Sequence, residues 1–193
     1  ITAVSPGTAE ITAETKTGEK VEAVVVVKIP KVTLTATSVP LQLKKSTTAI
    51  KVKSKIATDE VKKWSSSNSS VAYVSQSGKI TAKRTGTAKI TVTMKSGATA
   101  TCTIKVQSSP VRTTKLYVNR TGVTLSMSGT KTFKIVVTRY PITSLETITY
   151  KSSSTSVATV SKYGTITAKK AGTATITVTC GRVSRKITVT VKK

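Results

Sequence analysis

Residues Trp64 to Thr93 read WSSSNSSVAYVSQSGKITAKRTGTAKITVT, and residues Tyr150 to Thr179 read YKSSSTSVATVSKYGTITAKKAGTATITVT. The two stretches align without a gap at a spacing of 86 residues, so that Gly78 falls on Gly164. The opening residues, ITAVSPGTAEITAE, match the stretch from Ile80 onward and supply a third, partial copy. A solenoid turn repeats every ~20 to 50 residues. A period in the eighties instead fits one small domain copied in tandem. The organisation expected is a partial module over residues 1–31, then whole modules over 32–109 and 110–193. Because the chain opens in mid-repeat, it is expected to be the tail or an excised piece of something longer.

Within each copy the residues after a turn glycine alternate strictly. Ala88, Ile90, Val92 and Met94 alternate with Thr87, Lys89, Thr91 and Thr93. Ala174, Ile176, Val178 and Cys180 alternate with Thr173, Thr175, Thr177 and Thr179, and Ala9, Ile11 and Ala13 with Thr8, Glu10, Thr12 and Glu14. A period of two places one row in a core and the other toward water. The preceding turns, Val4-Ser5-Pro6-Gly7, Lys83-Arg84-Thr85-Gly86 and Lys169-Lys170-Ala171-Gly172, place glycine where a positive φ is needed. Their shortness predicts that the strand around Ile80 or Ile166 pairs with the next one as a hairpin. Closing strands are expected at Val21 to Ile29, Thr101 to Val106 and Lys186 to Val191. Opening strands are expected within Val32 to Leu43 and Leu116 to Leu125, followed by Thr48 to Ile56 and Thr130 to Thr138. With a strand ending at Trp64 or Tyr150 and a short one at Val71 to Val74, each module has about seven strands, the pattern of a two-sheet sandwich. Ile29-Pro30-Lys31 and Gln107-Ser108-Ser109-Pro110 read as short linkers whose prolines cannot continue a ladder.

The combined pattern W-x-S-S-x-x-x-S-V-A-x-V-S followed by G-x-I-T-A-x-x-x-G-T-A-x-I-T-V resembles the bacterial immunoglobulin-like domain of group 2. The resemblance covers Trp64 to Val106 and Tyr150 to Val191 closely, and the module openings from Val32 and Val111 loosely. Tyr150 stands where the pattern has tryptophan, and either aromatic fills a core with its polar atom at the edge. The family implies an all-β fold of tandem immunoglobulin-like β-sandwich domains. It also implies a non-catalytic stalk or adhesive segment of a secreted bacterial cell-surface protein or surface filament, located outside the cell. The family also occurs in phage virion proteins, which implies the alternative of an appendage holding bacterial-surface or mucus carbohydrate.

Charge is divided unevenly. Residues 1–31 carry four lysines and four glutamates, for a net charge of zero. Residues 32–110 carry thirteen basic residues against Asp59 and Glu60, and residues 111–193 carry fifteen against Glu146 alone. The net charge of +25 therefore belongs wholly to the two complete modules. Such a field attracts polyanions, with affinity falling as salt rises. An anionic polysaccharide, a wall polymer or host matrix is the partner class this suggests, beside neighbouring modules of the same chain or other subunits. The same charge serves equally as a solvated surface that keeps the chain soluble. Dispersed aromatics, with Trp64 and Tyr150 claimed by the core, argue against specific nucleic-acid binding. No apolar run is long enough to span a membrane.

The residue inventory points away from catalysis. There is no histidine, which removes imidazole-dependent triads and metal sites. A carboxylate pair or calcium cage in the whole modules would have to come from Asp59, Glu60 and Glu146, of which the first two are adjacent and read as loop residues. Cys102 and Cys180 occupy inequivalent places in the repeat and point inward by alternation, as small core residues without a partner base. No catalytic, cofactor-binding or metal-binding residue is therefore expected. Asn68-Ser69-Ser70 and Asn119-Arg120-Thr121 match a glycosylation sequon too short to carry a function. Tyr73, Tyr140 and Tyr163 are expected at the surface, with Lys162 and Tyr163 placed beside a turn where a sugar could touch them. The partial module, without its opening strands, is expected to leave Ala9, Ile11, Val21, Ala23 and Val25 uncovered, to be completed by an upstream segment or by another chain.

Overall fold

The structure is a computed structural model and describes residues 1–193 apart from Ala3, Ser5 and Lys55 and the side chain of Ser54. The expected turn at Val4 to Gly7 and the expected strand Thr48 to Ile56 therefore lie partly outside the described residues. All regular elements among the described residues are strands. Residues 1–31 supply β1 (Gly7–Glu14) and β2 (Lys20–Val27). The first whole module supplies β3 (Thr33–Leu34), β4 (Ser38–Gln42), β5 (Ser46–Thr47), β6 (Val52–Ser54), β7 (Val61–Ser66), β8 (Ala72–Val74), β9 (Ile80–Ala82), β10 (Gly86–Met94) and β11 (Thr99–Gln107). The second supplies β12 (Lys115–Val118), β13 (Gly122–Ser126), β14 (Thr132–Lys134), β15 (Val137–Tyr140), β16 (Ile148–Ser152), β17 (Ala158–Val160), β18 (Thr165–Ala168), β19 (Gly172–Cys180) and β20 (Val183–Lys192). By proximity the described residues form two compact units, residues 1–38 with 43–106, and residues 107–193 with 39–42.

The second unit shows the sandwich most fully. One sheet has the order β13-β20-β19-β16, with β13 parallel to β20 and the other pairs antiparallel. Facing it are β14-β18-β17 and the pair β12-β15. Between them lies one core in which Ala174, Ile176, Val178 and Cys180 of β19 and Ile187, Val189 and Val191 of β20 meet Ile166 and Ala168 of β18, Ala158 of β17, Leu116, Leu125 and Ile135. Burying an isoleucine of this kind contributes about 1.5–3 kcal/mol. The first unit repeats the plan: β11, β10 and β7 lie side by side, and β5-β9-β8 form a second sheet. Ile80, Ala88, Ile90, Val92, Met94, Cys102 and Ile104 are all buried there. The alternation read from β-branched residues thus matches the inward rows in both whole modules.

Two expectations are corrected. The strands around Ile80 and Ile166 do not pair with the strands that follow. β9 pairs with β8 and β5, β18 with β17 and β14, while β10 and β19 belong to the other sheet. The turn is a crossing between sheets. The amides of Lys83 and Arg84 donate to the carbonyl of Val71, and those of Lys169 and Lys170 to the carbonyl of Val157, which draws the chain across the sandwich edge. Gly86 (φ +138°) and Gly172 (φ +147°) then redirect it beneath the side chains of Val71 and Val157. The second correction is the strand count, nine short segments among the described residues of 32–109 and nine in 110–193 instead of about seven. The opening stretches break because they change sheets: β12 pairs with β15, and β13 lies beside β20. Gln107, expected in a linker, is the last residue of β11.

Within residues 1–31, β1 and β2 pair in full register, Ala9 with Val25, Ile11 with Ala23 and Ala13 with Val21. These residues share one apolar face, and Val21 is exposed on it as expected. Ile11 and Val25 are half-buried.

Candidate functional site

The structure places the acidic residues of the whole modules in separate structural roles. Asp59 is buried in the loop between β6 and β7, and its carboxylate accepts from the Ser96 amide at 3.1 Å and the Ser96 hydroxyl at 2.7 Å, bracing the β10–β11 turn. The neighbouring Glu60 carboxylate pairs with the Lys95 ammonium at 2.6 Å. Glu146 accepts from the Thr113 amide at 2.7 Å and from Arg112 at 3.3 Å. The Thr113 amide first, with the Arg112 guanidinium, holds the Glu146 carboxyl below the usual range. No group of three or more metal-ligating side chains occurs among the described residues.

Both cysteines are free and fully buried. Burial pushes the Cys102 thiol up to about 11, which leaves it a poor nucleophile. The Cys180 sulfur lies 3.2 Å from the Thr113 hydroxyl, which in turn lies 2.9 Å from the Ser144 hydroxyl. This buried chain ties the module opening to the end of β19, a bond set that no sequence pattern announces. The two sequon asparagines are structural as well. Asn68 accepts from the amides of Ser70 and Val71, and Asn119 bridges to Lys134 and Val136.

Tyr73, Tyr140 and Tyr163 are exposed as expected, and Tyr117 joins them. The Lys83 ammonium stands 4.9 Å from the centroid of the Tyr73 ring, and Lys162 stands 5.0 Å from that of Tyr163. Tyr163 is 69% exposed and lines an open groove of about 520 Å³ with Thr147, Ile148, Thr149, Tyr150 and Lys162.

The feature that sequence reading alone did not assemble is the outward face of the larger sheet. In the second module Lys151 of β16 pairs with Thr177 of β19, and Thr177 with Lys186 of β20. The row on one side is Thr149, Thr179 and Ser184; on the other Thr175 pairs with Thr188, and Thr173 with Thr190. In the first module Lys63 pairs with Thr93 and Thr93 with Thr99, while Ser65, Thr91 and Thr101 form the next row. Lys89 pairs with Thr103, and Thr87 with Lys105. Both faces thus present hydroxyls and ammonium groups without a carboxylate. The corresponding face of the β1–β2 pair carries Glu10, Glu14 and Glu22.

Among solved structures, domains 4 and 5 of the S-layer protein SbsC are 24% identical, covering 76% of this chain and 85% of that one, with a TM-score of 0.39. Domains 1–6 of the same S-layer protein are 20% identical over 97% of this chain, which spans 35% of that one, with a TM-score of 0.40. Drosophila N-cadherin EC1-3 is 10% identical, covering 91% of this chain and 73% of that one, with a TM-score of 0.47. No curated protein matches the chain. The profile of the bacterial Ig-like domain (group 2) matches residues 28–104 and 113–191, which take in both crossing turns and, apart from Lys105, the hydroxyl-and-lysine faces just described. The chain belongs to the bacterial Ig-like domain (group 2) family.

Proposed function

We propose that the chain is a non-catalytic stalk and adhesive segment of a secreted bacterial cell-surface protein or surface filament. Its modules, bounded at residues 31/32 and 109/110, act as spacers, and the two basic ones grip anionic glycan outside the cell. The observation that carries this reading is the repeated outward face of threonine, serine and lysine in both whole modules, lacking any acid. Lysines that meet no carboxylate on their own face are open to an anion from outside, and the threonine hydroxyls beside them bond sugar hydroxyls without competing charge.

The test is binding of the 193-residue chain to anionic polysaccharide at low and at physiological salt. Binding that weakens with salt but persists at physiological strength is expected. Binding by the 1–31 region equal to that by the basic modules would contradict the reading. Small-angle scattering addresses the stalk: an extended profile is expected, and a compact one would exclude it.

A further inference from the structure

We infer that the second module holds one defined seat for an anionic polysaccharide, running from Lys186 across Thr177 to Lys151 and over the edge of β16 into the groove at Tyr163. This rests on the adhesive reading above and narrows it to one face of one module. Lys151, Thr177 and Lys186 occupy one row across three adjacent strands. With strands ~4.8 Å apart, the two lysines stand two spacings from each other, close to the length of a disaccharide. A chain carrying one anionic group per disaccharide would meet both ammonium groups with the Thr177 hydroxyl between them. Lys151 and Lys186 are exposed, and Glu146, the one acid of residues 111–193, is held by Thr113 and Arg112. Neither lysine therefore has a carboxylate of its own module to satisfy it.

The row does not end in open solvent. Thr149 belongs both to the next row of this face and to the wall of the groove, so the surface is continuous from the lysines to Tyr163. The Lys162 ammonium stands over one face of the exposed Tyr163 ring, and the other face is the flat apolar partner that the ring offers a sugar. An ammonium pair spaced for a charged repeat, leading to an aromatic in a concave groove, selects a charged sugar polymer over a compact anion. The first module lacks this arrangement, because the row equivalent to Lys151, Thr177 and Lys186 is Ser65, Thr91 and Thr101.

The experiment measures affinity of the 193-residue chain for a sulfated and a carboxylated polysaccharide at physiological salt. It compares the Lys151→Thr/Lys186→Thr variant with a charge-matched control, Lys115→Thr/Lys131→Thr, whose exposed lysines lie off this face. A loss of tenfold or more for the first variant is expected with either polymer, against less than threefold for the control. Tyr163→Ala is expected to weaken binding of a long oligosaccharide and leave a disaccharide unaffected. Equal losses in the two lysine variants, or undiminished binding by the first, would overturn the seat while leaving general polyanion binding intact. Failure of the unaltered chain to bind either polymer would defeat the adhesive reading itself. Single-stranded DNA bound as tightly, with the same loss in the first variant, would overturn the assignment to a glycan. Thermal melts of each variant establish that the fold is retained.

Discussion

Tyr150 lies directly over Gly164: a Cβ added to that glycine would sit 2.9 Å from the ring's Cζ and from its hydroxyl oxygen. Trp64 covers Gly78 in the same way, with 3.1 Å to Cε2. Both glycines hold a positive φ, +79° and +77°. The aromatic and the glycine are thus one unit, repeated 86 residues apart. Glycine satisfies the turn and the close approach at once.

This coupling separates two costs. Gly97 has φ +86° and open space where a methyl group would stand, so Gly97→Ala carries the backbone strain alone. Gly164→Ala carries the strain and the collision with Tyr150. We expect Gly97→Ala to destabilise by about 1 kcal/mol and Gly164→Ala by about 2–3 kcal/mol in denaturant unfolding. Equal effects would show that the ring moves aside freely.

Glu146 predicts a pH dependence. Its carboxyl is held below the usual range by the Thr113 amide and by Arg112. The unfolded chain then binds the proton more readily than the folded one, so stability rises with pH through this range. The contribution is present above the ordinary glutamate range and is lost as pH falls through it toward the lower folded value. The Glu146→Gln variant should show a shallower loss of melting temperature on acidification than the parent chain. A parallel loss in both would rule out this carboxylate as the source.

Cys102 and Cys180 should resist alkylation in the native state. Both are fully buried, and burial raises the Cys102 thiol to about 11. Labelling with iodoacetamide at pH 8 is expected only after unfolding, each thiol appearing as the unit that buries it unfolds in denaturant. Rapid labelling of the folded chain would show that a sheet opens locally.

Alternation along β19 can be read by truncation. Ile176→Ala empties a fully buried site and should cost about 2–5 kcal/mol. Thr175→Ala, one residue away on the wet face, should change stability by less than ~0.5 kcal/mol. Comparable losses at both positions would mean that the outward face is covered.

Much of the fold was legible from the residues. The inward positions of β10 and β19 follow from strict alternation, as do those of Cys102 and Cys180, whereas Trp64 and Tyr150, expected in the core, are half-buried, each covering a glycine at its edge. The candidate surface was less legible. Lys151 and Lys186 are 35 residues apart in the chain, and only the register through Thr177 sets them in one row. Glu146 and its partner Thr113 are 33 residues apart, so no local pattern joins them.

The sequence by itself determined which side chains face inward, because the pleat reverses direction at every residue whatever strand lies alongside. It also determined that the domain is repeated, and where acids are absent. The tertiary structure decided which strands pair. Turn length suggested a hairpin at Gly86 and Gly172, but the crossing to the opposite sheet is set by Val71 and Val157, whose carbonyls capture the amides just before each glycine. Pairing partners are chosen by contacts between distant segments, so the register that aligns Lys151, Thr177 and Lys186 exists only once both sheets have closed on their common core.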